Sequence, residues 1–319
     1  MPSRAAAALD LSGPLSLQSR DAARGLELWA SDVGLELEIV DVVGSSDRAV
    51  GAYQSWKADS ELLVLGPYGS GLVRRVLTSL PEGRLLWNHG GSADDLARPW
   101  APMVPAPASQ YFVPLVDIAA DRGCSALTLV RGPGRFARIV AHGAVARARQ
   151  LEFVIDVVEF EAWQPGPSRE DLALLAVGRF EDDVAVVSRL RESNRPGFVG
   201  CVAAGIAEFG ARLKAGAEVV FAPTQWFPAE NRPQLGPPGT EFAAAYTDRF
   251  GLAPTYVAAQ AAAAGYLALA ALEQELSPSM IRTWETSTLL GGFRIDERGL
   301  QTGHRVAVGQ WRRGRFVPV

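Results

Sequence analysis

Leu62-Leu63-Val64-Leu65-Gly66-Pro67-Tyr68-Gly69-Ser70-Gly71 and, one helix later, Arg84-Leu85-Leu86-Trp87-Asn88-His89-Gly90-Gly91-Ser92 each run from a short buried strand into a Gly/Ser loop that is expected to open a helix. A helix N-terminus carries unpaired backbone N–H groups and the positive end of the helix dipole, and glycine lets a guest approach the main chain. Open α/β sheets bind ligands at the carboxyl ends of their strands, where both loops fall. Two adjacent loops of this kind suit a small anion or polar headgroup. Neither sets a nucleophile beside a base, so the pattern points to binding and no catalytic residue is assigned.

Outward from this stretch, the chain is too long for one core: 319 residues predict two lobes. A hydrophobic share of 48% against 21% charged residues gives ample core material. The net charge of -4 offers no electrostatic reason for a nucleic-acid or anionic-membrane partner. Cys124 and Cys201 read as two free buried thiols. The longest apolar run, 258–272, is interrupted by Gln260 and Gly265 and falls short of the ~20 residues of a spanning helix, so no membrane insertion is expected. Met1-Pro2-Ser3-Arg4-Ala5 lacks the leucine-rich core of a signal peptide. As written, the chain is expected in the cytoplasm; with a leader removed, the periplasm or cell surface is expected. His89, His142 and His304 show no metal-ligand spacing, so no metal is expected. Gly66–Gly71 lacks the Lys-Ser/Thr ending of a P-loop and Gly132-Pro133-Gly134 is too short for a dinucleotide fingerprint, so no cofactor is expected.

Strand and helix patterns alternate along the chain, the mark of a doubly wound parallel sheet. A strand over 5–11, a helix over 21–33 stopped by Gly34, an edge strand over 35–43 and a helix over 47–56 precede the two loops. Four prolines within 99–107 exclude helix and central strand and mark a first crossing between lobes. A second α/β series has strands near 126–131, 151–158, 172–177 and 198–202, with helices near 110–121, 135–149, 182–192 and 206–214. No helix is read between the strands at 151 and 172, where 163–169 replaces it. Pro228–Pro238 marks a second crossing, helices over 241–250 and 256–275 return to the first lobe, and 293–296 and 304–311 read as antiparallel strands with Arg312-Arg313-Gly314-Arg315 as a hairpin turn. The expected division is 1–106 with 225–291, and 107–224 with 292–319.

The motifs Leu11-Ser12-Gly13-Pro14-Leu15 with Arg24-Gly25, Gly66-Pro67-Tyr68-Gly69-Ser70, Asn88-His89-Gly90-Gly91-Ser92, and Tyr246–Phe250 with Gly251 and Pro254 before an Ala-rich helix stand in an order that covers nearly the whole chain. Together they resemble the type I solute-binding proteins of ABC importers, specifically the leucine/isoleucine/valine-binding group. The resemblance implies two α/β lobes joined by three crossing segments, closing on a small ligand delivered to an importer permease. By motif position it implies that Ser70 donates to a carboxylate, that Gly90 offers its backbone and Ser92 its hydroxyl, with Tyr68 and Gly91 in the same loops. Gln18 stands where the family has an aromatic in the first loop. Phe136 and Phe180 fall where the family places tyrosines against the ligand, and Trp226 is placed on a crossing strand near the cleft as a further ligand contact.

One departure bears on the ligand. The family acid that pairs with a ligand's ammonium is expected after the strand at 198–202, yet Gly200-Cys201-Val202-Ala203-Ala204 has none. An unpaired buried ammonium is costly, so a carboxylate or amide with an apolar or aromatic body is favoured over a simple α-amino acid. Burying ~200 Å² of such a body supplies roughly 5 kcal/mol before ordering costs. Competing readings have Ser70 and Ser92 as helix caps, Asp94-Asp95 and Glu181-Asp182-Asp183 as solvated first-turn acids, and Phe136 and Phe180 as core aromatics. Other functions are a cytoplasmic sensor of the same fold acting on a regulatory protein, and a hydrolase built on Ser70, His89 and Asp94, which lacks the Gly-x-Ser-x-Gly elbow.

Overall fold

A computed structural model describes residues 4–166, 169–192, 196–230 and 232–319. The start of the chain to Ser3, and Pro167 and Ser168 of the 163–169 segment, lie outside the described residues. The chain forms two α/β units: unit 1 holds the described residues up to Pro107 together with Gln225–Arg305, and unit 2 holds Ala108–Thr224 with Val306–Val319. It passes between them three times. The last passage comes after Arg305 rather than after residue 291, because Phe293 and Ile295 are buried in the core of unit 1.

In chain order the elements are β1 (Arg4–Leu9), α1 (Ser16–Val33), β2 (Glu36–Asp41), α2 (Ser46–Trp56), β3 (Leu63–Leu65) and α3 (Ser70–Leu77). Unit 2 follows with α4 (Val113–Asp121), β4 (Ala126–Arg131), α5 (Arg135–Gln150), β5 (Val154–Glu159), β6 (Leu172–Val177), α6 (Phe180–Glu192), β7 (Phe198–Cys201), α7 (Ala207–Leu213) and β8 (Phe221–Thr224). The chain then adds α8 (Gly239–Phe250), α9 (Tyr256–Glu273), α10 (Pro278–Ile281), β9 (Thr286–Thr288) and β10 (Gly291–Phe293) to unit 1, and closes with the hairpin β11 (Ala307–Arg312) and β12 (Arg315–Pro318) in unit 2.

Unit 1 is built on the parallel order β2-β1-β3. β1 carries Ala5–Ala8, all fully buried, and β2 is the edge that its Glu36/Glu38 alternation predicts. Alanines leave little side-chain bulk on the central strand, so helices settle close to it. α1 and α9 are themselves in close contact: a Cβ on Gly25 would lie 2.2 Å from the Ala258 carbonyl oxygen, and one on Gly265 would lie 2.2 Å from the Trp29 ring. α9 is long and apolar enough to cross a membrane by composition alone, but 78% of it is buried, as befits the central helix of a core.

α1 begins at Ser16, earlier than residue 21, because Asp10 at the end of β1 accepts from the backbone N–H groups of Leu15 (2.9 Å) and Gly44 (2.6 Å) and closes the turn early. Gln18 therefore lies in the first turn of α1 and not in a loop. The 84–88 segment is extended but pairs only at isolated points, Leu65 with Trp87 and Asn88 with Met103. Pro99, Pro102, Pro105 and Pro107 remove donors from the strand beside it, so no continuous ladder forms. The helix expected after Ser92 shrinks to one 3₁₀ turn, Asp94–Leu96. Arg98 precedes Pro99, which bars the helical region there and leaves no room for a longer helix.

Unit 2 is a single sheet in the order β12-β11-β8-β7-β6-β4-β5, parallel except for β11 and β12. Leu115, Val116, Ala141 and Ala144 of α4 and α5 pack on one face, and Val186, Leu190 and Phe209 of α6 and α7 on the other. The connection from β5 to β6 carries no helix among its described residues. Cys201 is buried and Cys124 half-buried, both as free thiols.

The helix contact yields a test. Gly25→Ala should lower unfolding stability by about 1–3 kcal/mol in urea, since a Cβ there overlaps main chain that cannot rotate away. Gly51→Ala, on exposed α2 with open space around it, should instead be neutral or stabilising by about 0.5–1 kcal/mol. Equal effects at both positions would contradict the close α1–α9 packing.

Candidate ligand-binding site

The two Gly/Ser loops emerge at the carboxyl edge of the unit 1 sheet and are fastened to each other. Gly69 N–H donates to the Gly90 carbonyl at 2.9 Å, and Tyr68 pairs with Gly90. The approach is close enough that a Cβ on Gly90 would lie 2.3 Å from the Pro67 carbonyl oxygen, which only glycine avoids. Ser70 Oγ accepts from Ala93 N–H at 3.4 Å, so the first residue of α3 bridges to the second loop. Arg74 of α3 grips Asp95 through two nitrogens at 3.0–3.3 Å, a forked ion pair that takes Asp95 out of the class of merely solvated acids.

Beneath this surface the buried Asn88 amide clamps Gly91, accepting from its N–H and donating to its carbonyl, both at 2.8 Å. Gly91 is thereby held as a turn residue, its N–H committed to Asn88. Gln260 of α9 donates to the His89 carbonyl at 2.6 Å, tying the loop to the central helix. Tyr68 and Tyr256 hydroxyls meet at 3.4 Å.

Neither serine caps a helix. The N-cap of α3 is Gly69 with no side-chain bond, and the 3₁₀ turn starts from Ala93 likewise. Ser70 retains its O–H to donate. The half-buried Ser92 hydroxyl makes no hydrogen bond among the described residues. His89 is fully buried, neither of its ring nitrogens has a hydrogen-bond partner, and burial holds its pKa down to about 4. The ring is neutral near pH 7 and not bonded to Ser70, so the Ser70–His89–Asp94 arrangement does not form a catalytic triad.

Phe136 and Phe180 stand at the corresponding edge of unit 2, in the first turns of α5 and α6, half-buried against opposite faces of the sheet. Phe136 meets the ring of Tyr111 edge-on at 5.6 Å, an aromatic neighbour that sequence spacing does not reveal. Trp226 belongs to the core of unit 1: its ring packs edge-on against Phe242 and its indole N–H donates to the Leu289 carbonyl at 2.9 Å. Its donor is occupied within the fold. Two cavities inside the units, of about 440 Å³ in unit 2 and about 120 Å³ in unit 1, are lined by other residues.

The run Glu181-Asp182-Asp183 hides a residue that sequence reading misses. Asp183 is not solvated: it is 2% exposed and accepts from Ala203 N–H at 2.9 Å, in the loop after β7 that lacks an acid of its own. Burial outweighs this donor and pushes its pKa up to about 8, with Asp182 adding to the rise. An acid therefore reaches this loop from a neighbouring helix, largely protonated at neutral pH. The sign of its effect follows: the unfolded chain releases the proton near pH 3.8 and the folded chain only near 8, so this group erodes stability as pH rises across that window. Asp183→Asn, neutral throughout, should match the wild type in thermal unfolding near pH 4 and exceed it progressively up to pH 8. A stability difference independent of pH would show that Asp183 titrates normally.

Comparison with known proteins agrees with this architecture. Residues 2–280 match the sequence model of the periplasmic binding protein family, a family of binding proteins and not of enzymes. No curated protein sequence matches the chain. Among solved structures, a leucine-binding protein LivK from Thermotoga maritima superposes with a TM-score of 0.81 at 15% identity, covering 99% of this chain and 97% of that one. LivJ from Streptococcus pneumoniae, solved with isoleucine, gives 0.78 at 13% identity, with 99% and 98% covered. A solute-binding protein of an ABC transporter from Rhodopseudomonas palustris, solved with 3,4-dihydroxybenzoic acid, gives 0.76 at 13% identity, with 99% and 95% covered. At such identities these structures share the fold, while the match over residues 2–280 carries the assignment: the chain belongs to the periplasmic binding protein family.

Proposed function

We propose that this protein is a solute-binding receptor for an ABC importer, and that it holds a small carboxylate or amide with an apolar or aromatic body. The observation that carries the reading is the pair of fastened loops at the sheet edge, where Ser70 keeps a hydroxyl proton to donate and Ser92 keeps a hydroxyl with no partner among the described residues. In this reading Ser70, Ser92, Tyr68 and the main chain at Gly90 take the headgroup. The relatives support the headgroup: isoleucine and 3,4-dihydroxybenzoic acid, bound in two of them, are both carboxylates. The preference for a body without an ammonium rests on Gly200-Cys201-Val202-Ala203-Ala204, which has no acid where the resemblance places one.

A thermal-shift panel of benzoate, 3,4-dihydroxybenzoate, benzamide, leucine and isoleucine tests this. A ligand at 100 times its Kd adds ~2.7 kcal/mol of stability, a rise of several degrees for a chain of this size. The aromatic acids should raise the melting temperature and leucine should not, and Ser70→Ala should weaken the strongest hit by about tenfold, the scale of one hydrogen bond to a charged group. A shift by leucine larger than by any aromatic acid would overturn the ligand preference. Binding unaffected by both Ser70→Ala and Ser92→Ala would overturn the site.

A further inference from the structure

Among its described residues the connection from β5 to β6 carries no helix, and the sheet face beside it is not flat. It holds a half-open cavity of about 440 Å³, within the ~300–1,000 Å³ usual for small-molecule sites. Leu174 of β6 and Leu190 of α6 form apolar walls, and the buried Trp163 closes another side. Along one side, the half-buried Thr128 and the exposed Asp156 of the edge strand β5 stand directly opposite each other in the parallel β4–β5 register, so their side chains share one face of the sheet. Neither the Asp156 carboxylate nor the Thr128 hydroxyl has a hydrogen-bond or ion-pair partner among the described residues. The nearby cation of the lining, Arg169, is committed elsewhere: its Nε and one terminal nitrogen fork onto Asp171 at 3.1 and 2.7 Å.

A carboxylate and a hydroxyl side by side at the rim of an apolar hollow select for a positive donor carrying an apolar body. An anion meets repulsion from Asp156, and a neutral apolar molecule gains no charge-assisted hydrogen bond there. A helix of a partner protein, about 10 Å across with its side chains, demands more room than this cavity offers. We infer that unit 2 carries a second ligand site, separate from the Gly/Ser loops of unit 1, that takes a small organic ammonium ion: the ammonium donates to Asp156 and Thr128, and its hydrocarbon lies against Trp163, Leu174 and Leu190.

Isothermal titration of the full chain with benzylamine at pH 7 and low salt tests the site, with benzyl alcohol and benzoate as matched neutral and anionic probes. Benzylamine should bind with a Kd of about 1 mM or tighter, and benzyl alcohol and benzoate at least about tenfold more weakly. Asp156→Asn should weaken benzylamine by about tenfold, and Leu190→Trp, which fills the cavity, should abolish binding. Thr128→Val serves as a second variant, with a smaller loss expected, should Asp156→Asn disturb folding by circular dichroism. Ser70→Ala should leave benzylamine affinity unchanged, so failure here is distinguishable from failure of the headgroup site in unit 1. No heat up to 10 mM benzylamine, equal binding of benzyl alcohol, or wild-type affinity in both Asp156→Asn and Thr128→Val would overturn the inference.

Discussion

A side chain at position 90 would thrust its Cβ to within 2.3 Å of the Pro67 carbonyl, and this steric exclusion sets the geometry of everything at the edge of the unit 1 sheet. Because the two loops touch through main chain, Gly69 can donate to Gly90, and Ser70 can reach across to Ala93. The contact also fixes where the hydroxyls point. A serine that caps its own helix spends its oxygen on that helix. Here the caps are glycine and alanine, so the serines are left for other partners. The arrangement costs buried polar groups, which Asn88 and Gln260 satisfy from below with three hydrogen bonds of 2.6–2.8 Å.

Buried carboxylates play different parts in the two units. In unit 1, Asp10 accepts from Leu15 and Gly44 and shapes the turn into α1, a structural anion fed by backbone donors. In unit 2, Asp183 joins α6 to the loop after β7, but desolvation keeps its proton on up to about pH 8. A protonated acid is a hydrogen-bond donor or acceptor, not a counter-ion.

Much of the architecture is legible in the sequence because it is written in periodicity. The strands β4 and β6 and the helix α5 follow from apolar runs of strand length and from three-and-four spacing, and the alternating acids of β2 announce an edge. What sequence spacing misreads depends on contacts distant along the chain. The early start of α1 follows from Asp10 bonding Gly44, more than thirty residues on. The burial of Asp183 depends on its neighbour Ala203, and nothing in Glu181-Asp182-Asp183 separates the buried acid from the solvated ones. Trp226 stands beside a crossing of the chain, yet only the Leu289 carbonyl, sixty-three residues away, shows that its indole is committed to the core. Prolines mislead in another way: 84–88 has the composition of a strand, but the segment beside it loses a donor at Pro102, and only isolated bridges form.

The central claim is that main-chain and serine groups of both loops grip one carboxylate. Backbone amide NMR of the ¹⁵N-labelled chain during titration with benzoate addresses it directly. The account predicts that the amides of Ser70–Leu72 and of Gly90–Ala93 shift together along a single saturating curve. Saturable binding with both groups of amides unmoved would contradict it.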